Sequence, residues 1–450
     1  MKKIKFLWLI LLLFVWSSIG CKKFLDERAE SILKIPGTKA DFQALLDNYS
    51  ALNYKDLTSA EIVAGDFYLS DADWNWLSEP ERRLYLWETT NVFDPIANDW
   101  TDMYNMVFRS NTVIEGIVKL NVNQNDSQWN NILGQAHYYR AKAFLQLVGS
   151  YALAYDEQED KPGIPLRLNT DFNIQSVRAS VIQSYQQVTA DLKKAMRLLG
   201  TTQIHVLRPG KSAAYGLMAR TLVMMRKYEE AGLYADSCLQ LKADLMDYNS
   251  LNFSATNTFA QFNKETIHYT RFQQSSHLSP NRARVDPDIV NSYADGDLRK
   301  QAFFKLNNGS YAFKGSYSGE SILFGGIAVD EMYLIRAESH ARAGRLQAAV
   351  DDLNTLLKTR WDKLKIYKPF VATTKNEVLE LVLQERRKEL LLRGLRWGDI
   401  KRLNKEGYGI ALTRTINGIS HRLEANSLRF ANPIPEDVIE ISGMQQNSYD

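Results

Sequence analysis

Apolar residues recur at the spacing of an α-helix through most of the chain, and the pattern is clearest between residues 330 and 356. The first run in this stretch is Tyr333, Leu334, Ala337 and Ala341. Gly344 breaks that run. The second run is Leu346, Ala349, Val350, Leu353 and Leu356. Small residues in both runs allow two helix backbones to approach closely, so the pattern predicts a tetratricopeptide-type helical hairpin.

The same spacing predicts four further helices and a second helical hairpin, over 40–52, 99–120, 130–151, 180–199 and 212–242. Trp100 falls on the predicted core face of its helix. Ser180 and Thr374 each begin a capping box, with Gln or Glu three residues later, and so indicate helix starts. The helix that starts after Thr374 is predicted to run through Arg393 and to end at Gly394.

Other segments lack the helical pattern. Residues 162–166 contain two prolines and a glycine and are predicted to be extended. Residues 247–329 are rich in Asn, Ser, Gly and aromatic residues and predict loops with short strands, while Asn417-Gly418 predicts a β-hairpin turn. The chain is therefore predicted to be mainly α, a tetratricopeptide-like helical scaffold with a long irregular insert at about 247–329. An insertion of this length is more often functional or partner-facing than idle.

The N-terminus has the pattern of an export signal. Lysines at positions 2, 3 and 5 precede an apolar run over 6–16, and small residues lead up to Cys21. We predict a lipoprotein signal peptide over 1–20, cleavage before Cys21, a lipid on its thiol and a membrane tether over 21–36. Ser18 stands where such signals usually carry Leu, and an ordinary secretory signal is the alternative. The other cysteine, Cys238, is predicted to be a buried structural thiol.

Charge argues against a nucleic-acid partner. The chain has 55 basic and 52 acidic residues. Loss of the three signal lysines leaves the mature chain formally neutral, so no electrostatic nucleic-acid surface is expected.

Motifs for catalysis, cofactors and metals are largely missing. The six histidines are scattered, no glycine-rich phosphate loop occurs, and residues 315–319 place Tyr rather than Ser at the centre of a nucleophile-elbow pattern. Asp71 to Asn75 begins like a calcium loop, but Trp76 occupies its glycine position and Arg82 its bidentate acid position. We predict no enzyme activity, cofactor or metal. A glycosidase carboxylate pair stays open, because such pairs have no fixed spacing.

Several motifs resemble the SusD/RagB family of Bacteroidetes outer-membrane lipoproteins, which bind nutrients. The segments that carry the resemblance are 22–27, 100–114, 162–166, 333–338, 344–346, 351–354, 385–390, 394–402, 432–439 and 446–447. The Pro-Gly-Tyr that typically closes the family is missing. The resemblance implies a SusD-like N-terminal half over 37–205 and a C-terminal half over 206–450 that contains the insert.

The function implied by this resemblance is a surface-exposed, lipid-anchored subunit of the outer membrane. It would bind an oligosaccharide and deliver it to a SusC-like TonB-dependent transporter. Two alternatives remain at this point. One is a tetratricopeptide-type adaptor lipoprotein, which would lack an aromatic ligand loop. The other is a secreted glycosidase, which would need two carboxylates in a cleft.

Tryptophans concentrate before residue 101. Sugar rings present apolar C–H faces and hydroxyl edges, so their sites combine flat aromatics with Asp, Asn or Arg. We predict a ligand platform of Trp74 and Trp76, which lie two residues apart and would face the same side of an extended segment. Its polar and nearby members would be Asp71, Asp73, Asn75 and Trp87. Burial of these tryptophans in the core is the competing interpretation.

Overall fold

The computed structural model describes residues 36–449. The predicted signal peptide, the lipidated Cys21 and the tether up to residue 35 lie outside the described residues. Those predictions therefore stay predictions. Within 36–449, no helix is long and apolar enough to cross a membrane.

Helices make up most of the structure, as predicted. The helices before residue 200 are α1 (Lys39–Leu46), α2 (Tyr49–Leu52), α3 (Ser59–Ile62), α4 (Asp71–Trp76), α5 (Glu79–Tyr85), α6 (Asp99–Lys119), α7 (Ser127–Tyr151) and α8 (Val181–Leu198). The later helices are α9 (Lys211–Met224), α10 (Tyr228–Leu241), α11 (Pro287–Asn291), α12 (Arg299–Phe303), α13 (Val329–Arg342), α14 (Leu346–Lys358), α15 (Lys375–Glu389), α16 (Arg396–Asn404) and α17 (Glu436–Ser442).

Short antiparallel strand pairs accompany the helices, some as local hairpins and some between segments that are distant in sequence. The strands are β1 (Phe67–Tyr68), β2 (Pro162–Pro165), β3 (Arg178–Ser180), β4 (Thr266–His268), β5 (Arg284–Val285), β6 (Phe304–Asn307), β7 (Ser310–Phe313), β8 (Ile327–Ala328), β9 (Leu412–Ile416) and β10 (Ile419–Leu423). They pair as β1–β5, β2–β3, β4–β8, β6–β7 and β9–β10. The predicted extended segment, the strands of the insert and the hairpin are confirmed. Asn417 and Gly418 both have positive φ, as a type I′ turn requires.

The two predicted tetratricopeptide-type hairpins are confirmed as α9–α10 and α13–α14. Helix α10 packs on α13, so the two hairpins are neighbours although the insert separates them in sequence. A Cβ at Gly232 of α10 would overlap the Ser339 side chain of α13, so the close helix approach requires glycine there. Cys238 is buried between the helices, as predicted, and burial raises the pKa of its thiol to about 12.

Three hydrophobic clusters fill the interior of the described residues. One lies among helices α6 to α10 and contains Trp100, whose predicted core position is confirmed. A second is rich in aromatic side chains and combines residues 62–92, the insert and residues 391–430. The third lies among α13, α14 and α15. The insert is therefore part of a core and not an appendage on the helical scaffold.

Two helix boundaries differ from prediction. The predicted helix over 40–52 divides into α1 and α2, because Asn48 starts a new helix by accepting the Ala51 N–H. Helix α15 begins at the predicted Thr374 capping box but ends at Glu389, not at Arg393. The chain then turns through Leu392 and Gly394, which both have positive φ. Glycine is required at 394, where a Cβ would also crowd the Phe272 ring.

Candidate functional site

The predicted ligand segment is a short helix, α4, and not an extended strand. Ser70 caps it, accepting the Asp73 N–H at 3.1 Å and donating its hydroxyl proton to the Asp73 carboxylate at 2.6 Å. Six residues form fewer than two turns, so no apolar periodicity could reveal this helix. Consequently the prediction that Trp74 and Trp76 face the same side is wrong, since residues two apart on a helix point in different directions.

Trp76 points outward. Its side chain is 63% exposed, and the Arg282 guanidinium carbon lies 3.5 Å from the ring centroid. This distance is that of a stacked cation–π pair. The guanidinium covers one face of the indole and leaves the rest of the ring in solvent. Its planar N–H groups lie beside the ring, where they can donate to hydroxyl groups.

Trp74 points the other way and is half-buried against the aromatic core. The Arg82 guanidinium lies 5.4 Å from its ring centroid. The Trp74 Nε1 atom is buried, and no hydrogen-bond partner for it occurs among residues 36–449. Trp74 therefore supports α4 from beneath and does not extend the exposed face of Trp76.

The predicted polar residues surround α4. Asp73 lies 3.6 Å from the Arg284 guanidinium, which places it beside the same segment that carries Arg282. Asn75 is exposed. Asp71 accepts the Asn417 N–H at 2.8 Å, so it fastens the β9–β10 turn to α4.

Trp87 lies in the core. Its side chain is 4% exposed, and its Nε1–H donates to the Val63 carbonyl at 3.0 Å. An indole in this position has no face to offer a ligand. Trp87 is therefore a core residue, and we leave this residue out of the site.

A cleft of about 140 Å³ lies between residues 272–280, which precede Arg282 in the same segment, and residues 320–323. Its polar lining comes from Gln273, Gln274, Ser275, Ser279, Glu320 and Ser321. At its edge the Arg271 guanidinium lies over the Tyr54 ring at 4.5 Å and 3.9 Å from the Glu320 carboxylate. The Gln273 Oε1 and Arg271 Nε atoms are buried and have no hydrogen-bond partner among the described residues. The sequence pattern did not indicate these residues, which belong to two loops that are separate in sequence.

His277 anchors this segment on helix α5. Its Nε2 lies 2.9 Å from the Glu81 carbonyl oxygen, and its ring stacks on Tyr85. Burial lowers the pKa of His277 to about 4, so the ring is neutral at physiological pH and can donate to that carbonyl. We define the candidate site as Trp76, Arg282, Asp73 and Asn75 together with the adjoining cleft.

The segment that begins like a calcium loop has a different conformation. Asp71 to Asn75 is helical and not a calcium-type loop. Across residues 36–449, no three His, Cys, Asp or Glu side chains lie close enough together to hold a metal ion.

Two family models match the chain. Residues 23–223 match SusD-like_3, described as starch-binding associating with outer membrane. Residues 329–447 match SusD_RagB, the SusD family. A search of the curated proteins gave no match.

Solved structures share the fold over nearly the whole chain. A SusD superfamily protein from Bacteroides thetaiotaomicron VPI-5482 has a TM-score of 0.74 at 20% identity, covering 92% of this chain and 100% of its own. A SusD-like carbohydrate binding protein from Bacteroides vulgatus ATCC 8482 has a TM-score of 0.68 at 20% identity, covering 90% of this chain and 97% of its own. A SusD superfamily protein from Bacteroides fragilis has a TM-score of 0.75 at 18% identity, covering 91% of this chain and 99% of its own.

Proposed function

The chain belongs to the SusD/RagB family, and from that premise we propose that it is a lipid-anchored outer-membrane protein that binds an oligosaccharide and delivers it to a SusC-type TonB-dependent transporter. The family description of starch binding and outer-membrane association supports the ligand class and the location. The cysteine after the signal-like N-terminus supports the lipid anchor.

The exposed stack of Trp76 and Arg282 carries the ligand part of the proposal. A sugar ring needs a flat apolar face and nearby hydrogen-bonding groups. Trp76 offers the face, and Arg282, Asp73 and Asn75 offer donors and acceptors around it. The adjoining cleft, with Gln273 and Glu320, would accommodate a second sugar unit of the same oligosaccharide.

We propose binding without cleavage. Solved relatives include one described as a carbohydrate binding protein. Retaining and inverting glycosidases both need two carboxyl groups flanking the bond that breaks. In the candidate site Asp73 is engaged by Ser70 and Arg284, and Glu320 lies near Arg271, so these acids serve to position neighbouring groups.

Trp76→Ala is expected to weaken oligosaccharide binding by about 5- to 150-fold, taking roughly 1–3 kcal/mol for the lost stacking contact. The melting temperature should stay within about 1 °C, because the side chain is exposed. A glycan array on the mature protein identifies the oligosaccharide, and calorimetry then measures both affinities. Prolonged incubation with that oligosaccharide should release no reducing ends.

Phe172→Ala is a matched control. Phe172 is 81% exposed and contacts Phe108 of α6, so the substitution removes an exposed aromatic ring from another surface. The oligosaccharide affinity of this variant should equal that of the wild type. Unchanged affinity in Trp76→Ala, or an equal loss in Phe172→Ala, would contradict the proposed site. Release of reducing ends by the pure protein would contradict binding without cleavage.

Cys21→Ala is expected to release the protein from the outer membrane when the transporter gene is deleted, since the acylated cysteine is the proposed anchor. With the wild-type chain and the transporter present, affinity purification from the native host should recover a TonB-dependent receptor. Retention of Cys21→Ala in the membrane fraction would contradict the lipid anchor. Recovery of soluble periplasmic partners alone would favour the adaptor alternative.

A further inference from the structure

A partly enclosed cavity of about 80 Å³ lies beneath the start of helix α16. Its lining combines residues of α7 and α9, of the insert and of the turn that joins α15 to α16. About 10–15 Å³ of such space holds one water molecule, so a small ion fits with room for several waters. The cavity is separate from the candidate site on α4.

Several buried hydrogen-bond donors that line this cavity have no partner among residues 36–449. They are the Arg386 Nη1, Arg393 Nε, Arg393 Nη2 and Trp397 Nε1 atoms. The side chains are 3%, 5% and 1% exposed, respectively. Among the described lining residues, no side-chain acceptor is buried and unpartnered in the same way. A ligand that only accepts hydrogen bonds suits this lining better than water, which must also donate.

The N-terminus of helix α16 adds backbone donors. Leu395, Trp397 and Gly398 line the cavity, and the N-cap residue Leu395 makes no side-chain cap bond. The N–H of Gly394, which also lines the cavity, already donates to Glu61. The first N–H groups of a helix have no partner within the helix and carry a partial positive charge. A helix start of this kind attracts an anion.

The cations along the wall are already paired with carboxylates. Lys142 pairs with Asp56, Arg220 with Glu331, Arg386 with Asp399 and Arg393 with Asp330. Both Asp399 oxygens are occupied, because Oδ1 accepts from Arg402 and Oδ2 accepts from Arg386. The unpartnered N–H groups of these guanidinium groups and of Trp397, and not a surplus of positive charge, are therefore what a bound anion would contact.

We propose that this cavity binds a small monovalent anion, a halide or a short carboxylate, held by Arg386, Arg393 and the Trp397 N–H at the start of α16. The anion joins the end of α15, the turn that follows it and the start of α16. It is a structural ligand, because the side chains that hold it are buried and the proposed sugar site is elsewhere. The proposal does not depend on the proposed sugar ligand.

Bromide tests the proposal on the mature protein. At constant ionic strength, replacing gluconate, which is too large for the cavity, with bromide should raise the melting temperature along a saturating curve. Crystals grown in bromide should show an anomalous scattering peak within hydrogen-bond distance of Arg393 and the Trp397 Nε1 atom. A melting temperature independent of bromide, or water alone in the cavity of those crystals, would overturn the proposal.

Trp397→Phe and Trp361→Phe form a matched pair of variants. Both remove an indole Nε1–H that lacks a partner among the described residues, but Trp361 does not line this cavity. Trp397→Phe should weaken the apparent bromide affinity about tenfold, through the loss of one hydrogen bond to a charged group. Trp361→Phe should leave it unchanged. Equal effects of the two variants would show a general salt effect and would also overturn the proposal.

Discussion

Arg360→Met is expected to lower the free energy of unfolding by about 3–5 kcal/mol, because it leaves buried carboxylates without the cation that pairs with them. Arg360 is 1% exposed. Its guanidinium donates to both Glu265 oxygens at 2.8 Å each, and its Nε donates to Glu389 at 2.9 Å. Methionine has a similar length but cannot donate. The shift of the urea unfolding midpoint measures the loss.

The network around Arg360 explains why the effect is large. Glu389 also accepts from Arg299 of the insert at 3.0 Å, and Glu385 accepts from Arg299 at 2.6 Å. These contacts fasten the insert to helix α15. The double variant Arg360→Met with Glu265→Gln should recover part of the lost stability, because it removes one of the unpaired buried charges.

Arg345→Met is the control for this prediction. Arg345 and Arg360 flank the same helix, α14, but Arg345 is about half exposed and lies 3.8 Å from an exposed Glu229. Exposed ion pairs contribute little, so this variant should change stability by less than about 1 kcal/mol. Equal effects of the two substitutions would contradict a role for burial.

Glu61→Gln is expected to stabilise the protein increasingly as pH rises from 5 to 8. Glu61 is fully buried, and burial, with the nearby Asp66 charge, raises the pKa of its carboxyl to about 8. One carboxyl oxygen accepts the Gly394 N–H at 2.7 Å, and the other has no partner among residues 36–449. Glutamine keeps the acceptor and carries no charge at any pH.

The sign of this effect follows from proton binding. The ordinary pKa of Glu, about 4.5, holds in the unfolded chain, which therefore releases the proton first as pH rises. The stability from Glu61 is fully present below pH 4.5 and is lost as pH rises through about 8. Relative to wild type, Glu61→Gln should gain roughly 3 kcal/mol between pH 5 and pH 8.

Unfolding midpoints of both proteins, measured at pH 5 and at pH 8, test this prediction. Glu440→Gln is the control, because Glu440 is exposed on α17 and its substitution should alter neither midpoint relative to wild type. A difference between Glu61→Gln and wild type that stays constant with pH would contradict a raised pKa at Glu61.

Sequence alone determined much of the helical scaffold. The capping boxes at Ser180 and Thr374 start helices where predicted, and both tetratricopeptide-type hairpins form. Asn417-Gly418 forms the predicted turn. These features depend on residues within a few positions of one another, and long amphipathic helices repeat their signal over several turns. The family resemblance is confirmed for the same reason, since its motifs are local patterns.

The roles of charged and aromatic residues needed the tertiary structure. The Glu385-to-Leu390 motif gave no sign that Glu385 and Glu389 hold Arg299, which lies 86 and 90 residues earlier. Trp74, Trp76 and Trp87 have the same side chain, yet one supports a helix, one is exposed and one lies in the core. Helix α4 is too short to display a period, and the partner of Trp76, Arg282, comes from the insert. A local pattern indicates which face of a segment is apolar, but contacts between distant segments decide what covers it, because they form only when the whole chain folds.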